Sequence, residues 1–419
     1  MKISNVKGTV DYLPQEVEIR DYMQSVILET YREAGFERIT TPIIENGENL
    51  DKSDGGENLN LIFKVLKRGR KLEEALEKGD VKELSDMGLR YDLTLPLSRY
   101  YANNRNELMN PFKCIQMDRV YRAEQPQKGR LREFMQCDID IIGNPSMDAE
   151  VELILTTAKA LVRVGMKDFK VKINDRRILK AMAAYSGFAE EDFDNIFIIL
   201  DKMDKIGLEG VEAELVESGY NKDSVEKYLG LFKGMNESED TLAFIEEKMT
   251  GFIEEDVKAS FREIIESVKA TKGDHFELVF DPTLVRGMSY YTGTIFEIAM
   301  PEFGGSCGGG GRYDKMVGRF TGKDVPACGF SIGFERIILI LMENGFKVPN
   351  QSRKVAYLIE KGVAGEALCN VISEAQKARQ DGTQVLVARM NKNKKFQKEQ
   401  LTAEGYEEFR EFYKEGLKN

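Results

Sequence analysis

Histidine is almost absent from this chain of 419 residues, which contains only His275. A single imidazole cannot form the histidine clusters that hold many catalytic metals, and no serine or cysteine stands in a nucleophile motif that could pair with it. The sequence therefore predicts that any catalysis depends on arginine, carboxylate or tyrosine side chains, or on a bound metal.

Cysteine is scarce as well, and its five copies are scattered without a CxxC pair. An odd number of widely spaced cysteines argues against a disulfide framework and against a zinc site. We expect reduced and mostly buried thiols at Cys114, Cys137, Cys307, Cys328 and Cys369.

Long apolar runs are missing too. The most apolar stretch, residues 337–342, is far shorter than the roughly 18 residues that a membrane span requires. The N-terminal sequence MKISNVKGTV lacks the hydrophobic core of a secretory signal. These absences predict a cytoplasmic protein with no membrane partner, and the length predicts a globular chain of two or three domains.

Charge is distributed unevenly along the chain. The net charge is −11, so there is no overall basic surface for nucleic acid. Residues 353–419 nevertheless contain 13 Lys and Arg against 10 Asp and Glu, a net +3, which leaves −14 for the remainder. This contrast predicts a domain boundary near residues 349–352. Within the basic segment, a solvated helix start or a phosphate-binding surface would both explain Lys392, Lys394, Lys395 and Lys398.

Hydrophobic patterns predict an α+β fold. Residues 16–34 have helical spacing, residues 176–269 form a long helical block, and residues 353–419 alternate strand, helix, strand, helix and strand. Strand-like segments lie on both sides of the helical block, namely GFERITTPIIE, NLIFKVL, GLRYDLTLP, FKCIQMDRVYR, LREFMQCDIDIIG, FELVFDP and SYYTGTIFEIAM. We expect an antiparallel sheet flanked by helices, interrupted by a helical insertion and followed by a small α/β domain.

Several segments could carry chemistry. RVYRAEQPQKGRLREFMQCDIDIIG (residues 119–143) concentrates arginines around a polar turn, and such side chains can hold phosphate or carboxylate in bidentate fashion. A solvated hairpin with surface ion pairs is the alternative explanation. By strand alternation, Gln136, Asp138 and Asp140 share one face of the sheet, where burial would be costly unless they bind a polar ligand such as an amine or imidazole.

Two further segments are less specific by themselves. In LRYDLTLP, Asp92 and Thr94 would share a strand face, either toward a site or toward solvent. The glycine run of GGSCGGGGRYD allows close approach of a ligand, but it matches neither the Rossmann nor the Walker pattern. Arg336 stands at the start of an apolar helix, where it could favour phosphate or form a structural ion pair.

Together and in this order, the segments resemble the histidyl-tRNA synthetases, a family of class II aminoacyl-tRNA synthetases. Residues 35–45 and 119–143 are similar to the first two class II motifs, and GFSIGFERIILIL to the third. LVRGMSYYTGTIFE and CGGGGRYD resemble the two motifs specific to this family. The resemblance extends over about residues 5 to 345, and five ordered motifs seldom coincide.

The resemblance implies a fold, a reaction and partners. The fold would be the six-stranded antiparallel class II sheet, with domains at 1–175 and 270–348 (catalytic core), 176–269 (helical insertion) and 353–419 (anticodon-binding-like domain). The reaction would be activation of L-histidine with ATP and Mg²⁺ to histidyl-adenylate, followed by transfer to tRNA-His. No protein side chain is identified as a metal ligand, and the family forms a homodimer through its first motif.

Residue roles follow from the resemblance in the same way. Arg122 would hold the α-phosphate and the substrate carboxylate, Glu124 the adenine amino group, Arg336 the γ-phosphate, and Arg286 the charge that develops on the α-phosphate. Asp92, Thr94 and Gln136 match positions that bind the α-amino group of histidine. Asp140 and Tyr291 match positions that contact the imidazole, and Tyr290 lies beside them. The basic tail would contact tRNA through Lys392, Lys394, Lys395 and Lys398.

The sequence LRYDLT is similar to the eukaryote-like branch, which has aspartate where many bacterial enzymes have glutamate. Two departures qualify the expectations. Ser289 replaces an aspartate of the family pattern, and the C-terminal region looks shortened, ending after its third strand. A catalytically silent paralogue, the histidine-sensing regulatory subunit of ATP phosphoribosyltransferase, is therefore a second interpretation. An enzyme that ligates histidine to another acceptor is a third.

Overall fold

The structure, a computed structural model, describes residues 3–52, 60–286, 290–349, 351–414 and 416–418. The chain forms two compact units. The first contains Met1–Asp11 and Arg20–Gly345, and the second contains Tyr12–Ile19 and Phe346–Asn419. Helix α1 (Pro14–Glu33) contributes residues to both units.

A large mixed sheet forms the centre of the first unit. Its strands are β1 (Glu37–Arg38), β5 (Phe112–Tyr121), β6 (Glu133–Ile142), β7 (Phe169–Asp175), β8 (Phe276–Phe280), β9 (Thr294–Met300), β10 (Phe303–Arg312) and β11 (Ala327–Ile332). Six of them, in the order β5-β6-β11-β10-β9-β7, pair antiparallel, whereas β1 and β8 add parallel edges. This confirms the predicted antiparallel sheet flanked by helices.

The glycine run lies in a central strand of this sheet. Gly310 of β10 pairs with Phe296 on one side and with Phe330 on the other. Because Gly310 has no side chain, the two phenylalanine rings stack across it with their centroids 5.2 Å apart. A Cβ at Gly310 would come within 1.9 Å of the carbonyl oxygen of Gly329. The glycines therefore bring neighbouring side chains and backbones together rather than form a flexible loop.

A second, three-stranded sheet precedes the central strands in sequence. It consists of β2 (Ile44–Asn46), β3 (Lys64–Leu66) and β4 (Ser85–Leu89), paired antiparallel in the order β2-β4-β3. Helices α2 (Gly47–Asp51) and α3 (Arg70–Lys78) lie between these strands in sequence. The strand predicted over GFERITTPIIE is therefore two short strands, β1 and β2, separated by residues around Pro42.

The strand predicted over GLRYDLTLP is wrong in its second half. Strand β4 ends at Leu89, and Thr94 begins helix α4 (Thr94–Asn104). Oδ1 of Asp92 accepts a hydrogen bond from the backbone N–H of Leu95 at 3.1 Å, which satisfies one of the free donors at a helix start. Pro96 is compatible with the first turn, where a helix needs no N–H donor. Asp92 and Thr94 are thus neighbours at a helix start and not on one strand face.

Helices flank the large sheet and form a block between β7 and β8. The flanking helices are α4, α5 (Asp148–Val164), α12 (Asp314–Thr321) and α13 (Phe334–Glu343). The block comprises α6 (Arg176–Ser186), α7 (Phe193–Leu200), α8 (Met203–Glu217), α9 (Lys222–Glu237), α10 (Thr241–Lys248) and α11 (Glu255–Thr271). Its interior contains Tyr228, whose ring meets Phe188 and Phe232 edge to face at 5.6 and 5.3 Å.

The second unit has an α/β core. Its strands β12 (Lys354–Ile359), β13 (Gln384–Arg389), β14 (Glu408–Tyr413) and β15 (Gly416–Lys418) form a sheet in the order β13-β12-β14-β15, with helices α14 (Gly365–Gln380) and α15 (Lys394–Ala403). Alternate residues of β12 belong to separate hydrophobic clusters, Tyr357 to one and Leu358 to the other, so both faces of the strand are covered. A short fourth strand, β15, follows the three that the sequence predicted.

Two expectations from the sequence, that there is no membrane span and that the cysteines are reduced, can be compared with the described residues. Within them, no helix is long and apolar enough to cross a bilayer. Four of the five cysteines are buried, Cys369 is exposed, and all five are free thiols. The predicted mostly buried, reduced cysteines are thereby confirmed.

Candidate active site

Strand β6 places a row of polar side chains on the face of the sheet that borders a cavity. Gln136, Asp138 and Asp140 alternate with Cys137 and Ile139, and all three polar residues line a cavity of about 120 Å³. The residues that alternate with them, Cys137 and Ile139, are fully buried. The alternation of β6 therefore produces the arrangement that period two predicts.

Seven residues that the sequence assigns to amino-acid binding meet in this cavity. Asp92 and Thr94 come from the start of α4, and Arg286 from the segment after β8. The full set that lines it is Asp92, Thr94, Gln136, Asp140, Arg286, Tyr290 and Tyr291. Their separation in sequence is large, so the fold assembles the cavity from several elements.

Each of three carboxylates in the cavity has one bonded and one unbonded oxygen. Asp92 accepts from the N–H of Leu95, and Asp138 accepts from Nε2 of Gln136 at 3.4 Å. Asp140 accepts from the hydroxyl of Tyr313 at 2.6 Å. The second oxygen of each carboxylate is buried and meets no hydrogen-bond partner among the described residues. Because buried unpaired oxygens are costly, the cavity requires a ligand that donates several hydrogen bonds.

The carboxylates are held where ionisation is unfavourable. Burial raises the pKa of Asp92 to about 6, although the N–H of Leu95 and Arg122 partly offset this. Burial also raises the pKa of Asp140 to about 7 against the effect of Tyr313. Burial and the nearby Asp140 raise the pKa of Asp138 well above its ordinary range. A cationic ligand would relieve this concentration of negative charge.

The tyrosines supply uncharged hydroxyl groups. The rings of Tyr290 and Tyr291 lie 4.8 Å apart, and Tyr290 meets Tyr313 at 6.2 Å in an edge-to-face contact. Burial raises the pKa of Tyr290 and of Tyr291, so both stay protonated at neutral pH. A protonated hydroxyl can both donate and accept, which suits recognition of a ring nitrogen.

Missing side chains on β10 and β11 make room for these groups. A Cβ on Gly309 would lie 2.6 Å from Cζ of Arg286, and one on Gly311 would lie 2.9 Å from Cδ1 of Tyr291. The nearby Gly329 would similarly place its Cβ 2.0 Å from Oδ1 of Asp140. The glycine run therefore positions polar side chains of this protein directly against the backbone.

A larger groove of about 490 Å³ opens beside the cavity. It is lined by basic residues and carboxylates, among them Arg122, Glu124, Arg130, Arg286, Glu297, Glu335 and Arg336. Arg122, Gln136 and Arg286 line both spaces. A ligand in the cavity and one in the groove would thus meet at two guanidinium groups.

Backbone and ring contacts orient the arginines. Nε of Arg122 donates to the carbonyl oxygen of Tyr91 at 2.9 Å, and its guanidinium lies 5.1 Å from the ring centre of Phe134. Nη1 of Arg336 donates to the carbonyl oxygen of Ser306. Burial and the neighbouring positive charges of Arg130 and Arg286 lower the pKa of Arg336. Repulsion among these cations favours a polyanionic ligand.

Arg286 has an unusual backbone conformation. Its φ of 61° lies in the left-handed region, which is rare for residues other than glycine. Nη1 of Arg286 is 3.2 Å from Oε2 of Glu297, which fixes the guanidinium where the cavity joins the groove. Strained residues of this kind concentrate at functional sites. Ser289, expected to affect this support, lies outside the described residues.

Comparison with known protein families identifies the family to which the chain belongs. A family model described as histidyl-tRNA synthetase matches residues 8–337. The chain belongs to the histidyl-tRNA synthetase family. The match covers all the segments that line the cavity and the groove.

Individual relatives agree with this membership. A histidine–tRNA ligase from Leifsonia xyli subsp. xyli is 45% identical over 353 residues, an alignment that covers 80% of this chain and 79% of the relative. A histidyl-tRNA synthetase structure from Nostoc sp. PCC 7120 has a TM-score of 0.78 at 24% identity, covering 99% of this chain and 92% of that one.

A third comparison has a double description. A structure from Bacillus halodurans, described as an ATP phosphoribosyltransferase regulatory subunit/histidyl-tRNA synthetase, has a TM-score of 0.76 at 21% identity and covers 99% of both chains. At this level of identity, the two structural similarities support the fold alone.

Some residues of the site were not assigned from the sequence of this family member. Asp138 was placed in the polar row that could bind an amine or imidazole, but the family resemblance gave it no role of its own. Tyr313 follows the glycine run, yet its contact with Asp140 joins residues 173 positions apart. Ser306 and Glu297, which contact Arg286, lie on β10 and β9 and show no local signal.

The four lysines predicted to contact tRNA differ in their ion pairing and exposure. Lys394 and Lys398 each form an ion pair with Glu411 at 2.7 Å, which lowers the pKa of Glu411 to about 2 although burial opposes the change. Lys392 and Lys395 are exposed, and Nζ of Lys395 is 4.0 Å from Glu399. The predicted basic surface of α15 is therefore partly neutralised within the second unit.

Proposed function

We propose that this protein is a histidine–tRNA ligase that activates L-histidine with ATP and transfers it to the 3′ end of tRNA-His in the cytoplasm. In the first step, a carboxylate oxygen of histidine attacks the α-phosphorus of ATP. The bond to the bridging oxygen breaks, and pyrophosphate leaves with the electron pair. In the second step, a hydroxyl of the terminal adenosine attacks the histidyl carbonyl, loses its proton, and displaces AMP.

The observation that carries this proposal is the junction of the cavity with the groove at Arg122 and Arg286. An amino acid in the acidic cavity would direct its carboxylate toward these guanidiniums, where the α-phosphate of a groove-bound ATP would also lie. Two reactants held in this way react within one complex. Fixed cations at that point stabilise the charge that develops on the α-phosphate.

The cavity has the chemistry required for the amino end of histidine. The side-chain oxygens of Asp92, Thr94 and Gln136 would accept hydrogen bonds from the α-ammonium group, which has three donors. Asp140 and Tyr291 would contact the imidazole, with Tyr290 packed beside them. An acidic, hydroxyl-lined cavity disfavours apolar amino acids because they would leave its buried oxygens unpaired.

The groove would hold ATP. Arg122 and Arg286 would contact the α-phosphate, Glu124 the adenine amino group, and Arg336 the γ-phosphate. The last role is supported by the cluster of positive charge around Arg336, which includes Arg130. Arg336 is also the third residue of α13, where the helix dipole favours an anion.

Mg²⁺ would enter as part of the ATP complex. No group of three or more His, Cys, Asp or Glu side chains that could hold a metal is found in the described parts of the chain. A site with few protein ligands fits Mg²⁺, which typically keeps several waters and binds through substrate phosphates with one or two carboxylates. Glu297 lines the groove, where it is also paired with Arg286, and it would supply such a carboxylate. Bound Mg²⁺ would add charge neutralisation to that of the arginines.

The remaining assignments concern organisation. We assign the catalytic core to 1–175 and 270–348, a helical insertion to 176–269, and an anticodon-binding-like domain to 353–419. On its LRYDLT sequence we assign the protein to the eukaryote-like branch. A homodimer would form through the first motif, near which Ile43 and Ile44 are 40% and 51% exposed. The tail would contact tRNA through its lysines.

Charging of tRNA-His with labelled histidine tests the proposal directly. The ligase predicts ATP-dependent formation of histidyl-tRNA, and a small acceptor that accumulates instead would indicate a different transfer step. Binding of histidine without adenylate formation would indicate the regulatory paralogue. Arg122, Arg286 and Arg336 together line the groove, and this retention favours the enzyme over the paralogue.

A further inference from the structure

Asp138 is a buried carboxyl group that the proposed reaction leaves without a function. It is 4% exposed and lines the small cavity. Oδ2 accepts a long hydrogen bond from Gln136, whereas Oδ1 is buried without a partner in the part of the chain that the structure describes. An oxygen in this condition destabilises the protein unless a ligand donates to it.

The register of the sheet places Asp138 beside Asp140. On β6 they are two residues apart and face the same side. Asp138 lies between Gln116 of β5 and Ser331 of β11, and Gly329 leaves the space that the carboxylate of Asp140 occupies. Two carboxylates are thus presented side by side to a cavity of about 120 Å³.

Hydrogen-bond counting shows what such a pair requires. Oδ1 of Asp138 and Oδ2 of Asp140 both lack donors among the described residues. A neutral imidazole has one N–H donor and one acceptor nitrogen, whereas an imidazolium has two N–H donors. An imidazolium can donate to both unpaired oxygens at once when both carboxylates are ionised, whereas a neutral ring would need one of them to keep its proton. The cationic ring itself favours the ionised carboxylates that burial alone disfavours. The third unpaired oxygen, on Asp92, is then available to the α-ammonium group.

The charge balance of the cavity agrees with this count. The titratable and charged groups around the pair are Tyr31, Asp92, Cys114, Arg122, Cys137, Arg286, Tyr290, Tyr291, Tyr313 and Cys328. Burial keeps the tyrosine and cysteine protons in place, since it raises the pKa of each of these groups. The two arginines border the groove and would be engaged by the substrate carboxylate and the phosphate. Arg122 lowers the pKa of Asp92 and of Asp138 against burial, but in the complex both arginines would face the substrate carboxylate and the phosphate, which leaves the carboxylate pair to the ring of the ligand.

We propose that Asp138 is a specificity-determining residue of the cavity, and that Asp138 and Asp140 together hold the substrate ring as an imidazolium. This inference rests on the proposed function, because it takes histidine as the occupant. It specifies that histidine binds with its ring in the protonated form. It also explains why a third carboxylate is buried where two would suffice for a neutral ring.

Calorimetric binding without ATP provides the first test. The ligands are L-histidine and triazolylalanine, an isostere whose extra ring nitrogen keeps the ring neutral. Asp138→Asn should weaken histidine about 10- to 100-fold, the range for a hydrogen bond between charged groups, and should change triazolylalanine less than about threefold. Asp274→Asn, at an exposed position, serves as the matched control and should change neither. Equal losses for both ligands, or no loss for either, would overturn the proposal.

Nitrogen NMR of the wild-type complex tests the same claim without a variant. Ring-labelled histidine is bound at about pH 8, above the ordinary imidazole pKa of about 6.5. We expect both ring nitrogens to have the shifts of protonated nitrogens. One unprotonated ring nitrogen would contradict the imidazolium. Either binding result is independent of ATP turnover, so failure of the ligase proposal appears separately, as absence of histidine-dependent adenylation.

Discussion

The hydroxyl of Tyr313 donates a hydrogen bond to Oδ1 of Asp140 over 2.6 Å. Tyr313 follows the glycine strand β10, and Asp140 belongs to β6, two strands away in the sheet. The bond orients the carboxylate, leaves Oδ2 facing the cavity, and offsets part of the burial that raises the pKa of Asp140 to about 7. A residue outside the predicted set thereby positions one within it.

Tyr313→Phe should weaken histidine binding selectively. The change removes the donor and keeps the ring, so Asp140 loses both its orientation and part of its stabilisation as an anion. We expect the KM for histidine to rise about tenfold, consistent with a hydrogen bond to a charged group, and the KM for ATP to stay within about twofold. Initial rates of ATP–pyrophosphate exchange measure both constants. Equal increases in the two would contradict a role through Asp140.

Stability of the unliganded protein should fall as pH rises through the acid range. The folded-state pKa values of Asp92 and Asp140, about 6 and about 7, lie above the ordinary value of about 3.9. The folded state therefore binds more protons than the unfolded state between about pH 4 and pH 7, and the free energy of unfolding decreases across this window.

Asp140→Asn should make that decrease smaller. The thermal midpoint is measured without histidine at about pH 5 and about pH 8, and the variant should lose less stability between them than the wild type does. Asp274→Asn, which is exposed, should behave as the wild type. An unchanged slope in Asp140→Asn would show that Asp140 ionises normally in the folded protein.

Gly309→Ala should displace Arg286, whereas Gly304→Ala on the same strand should not. The added Cβ at Gly309 would lie 2.6 Å from Cζ of Arg286 and 2.6 Å from the carbonyl oxygen of Phe296. At Gly304 no atom lies within 4 Å of the added Cβ. A displacement near 1 Å can cost about 100-fold in rate. Rates of ATP–pyrophosphate exchange for the two variants measure the difference. Similar rates would show that the glycines of β10 do not position Arg286.

Exposed lysines of the second unit should affect tRNA charging and not adenylation. Lys394 and Lys398 are already paired with Glu411, so Lys392 and Lys395 are the more accessible cations. Their double replacement by alanine should reduce the dependence of tRNA binding on salt by about one unit of slope for each lysine. Lys361→Ala, exposed in the same unit, is the control. An unchanged salt dependence would show that Lys392 and Lys395 do not contact tRNA.

Much of this site was predictable because local patterns determined it. The alternation of β6 placed Gln136 and Asp140 together without knowledge of any neighbour. The position of Arg336 near the start of α13 followed from the switch to an apolar helix after glycine. The sheet itself followed from strand-like segments joined by short polar turns.

The rest depended on contacts between distant residues. Asp92 and Thr94 line the same cavity as the other predicted residues but lie on a different element from the one predicted. LRYDLTLP alternates like a strand, whereas the carboxylate of Asp92 accepts a hydrogen bond from a helix-start N–H. The glycine run could equally have been a loop. Its assignment to β10 requires the pairing of Gly310 with Phe296 and Phe330, which only the register reveals.

The most direct test of the account is ATP–pyrophosphate exchange with each of the common amino acids, in the wild type and in Arg286→Ala. The central claim is that a histidine cavity and an ATP groove meet at Arg286. It predicts exchange with histidine alone and a loss of at least about 100-fold in Arg286→Ala, the scale for removal of a preorganised transition-state donor, with ATP binding nearly unchanged. Exchange with other amino acids, or a near-normal rate in Arg286→Ala, would contradict it.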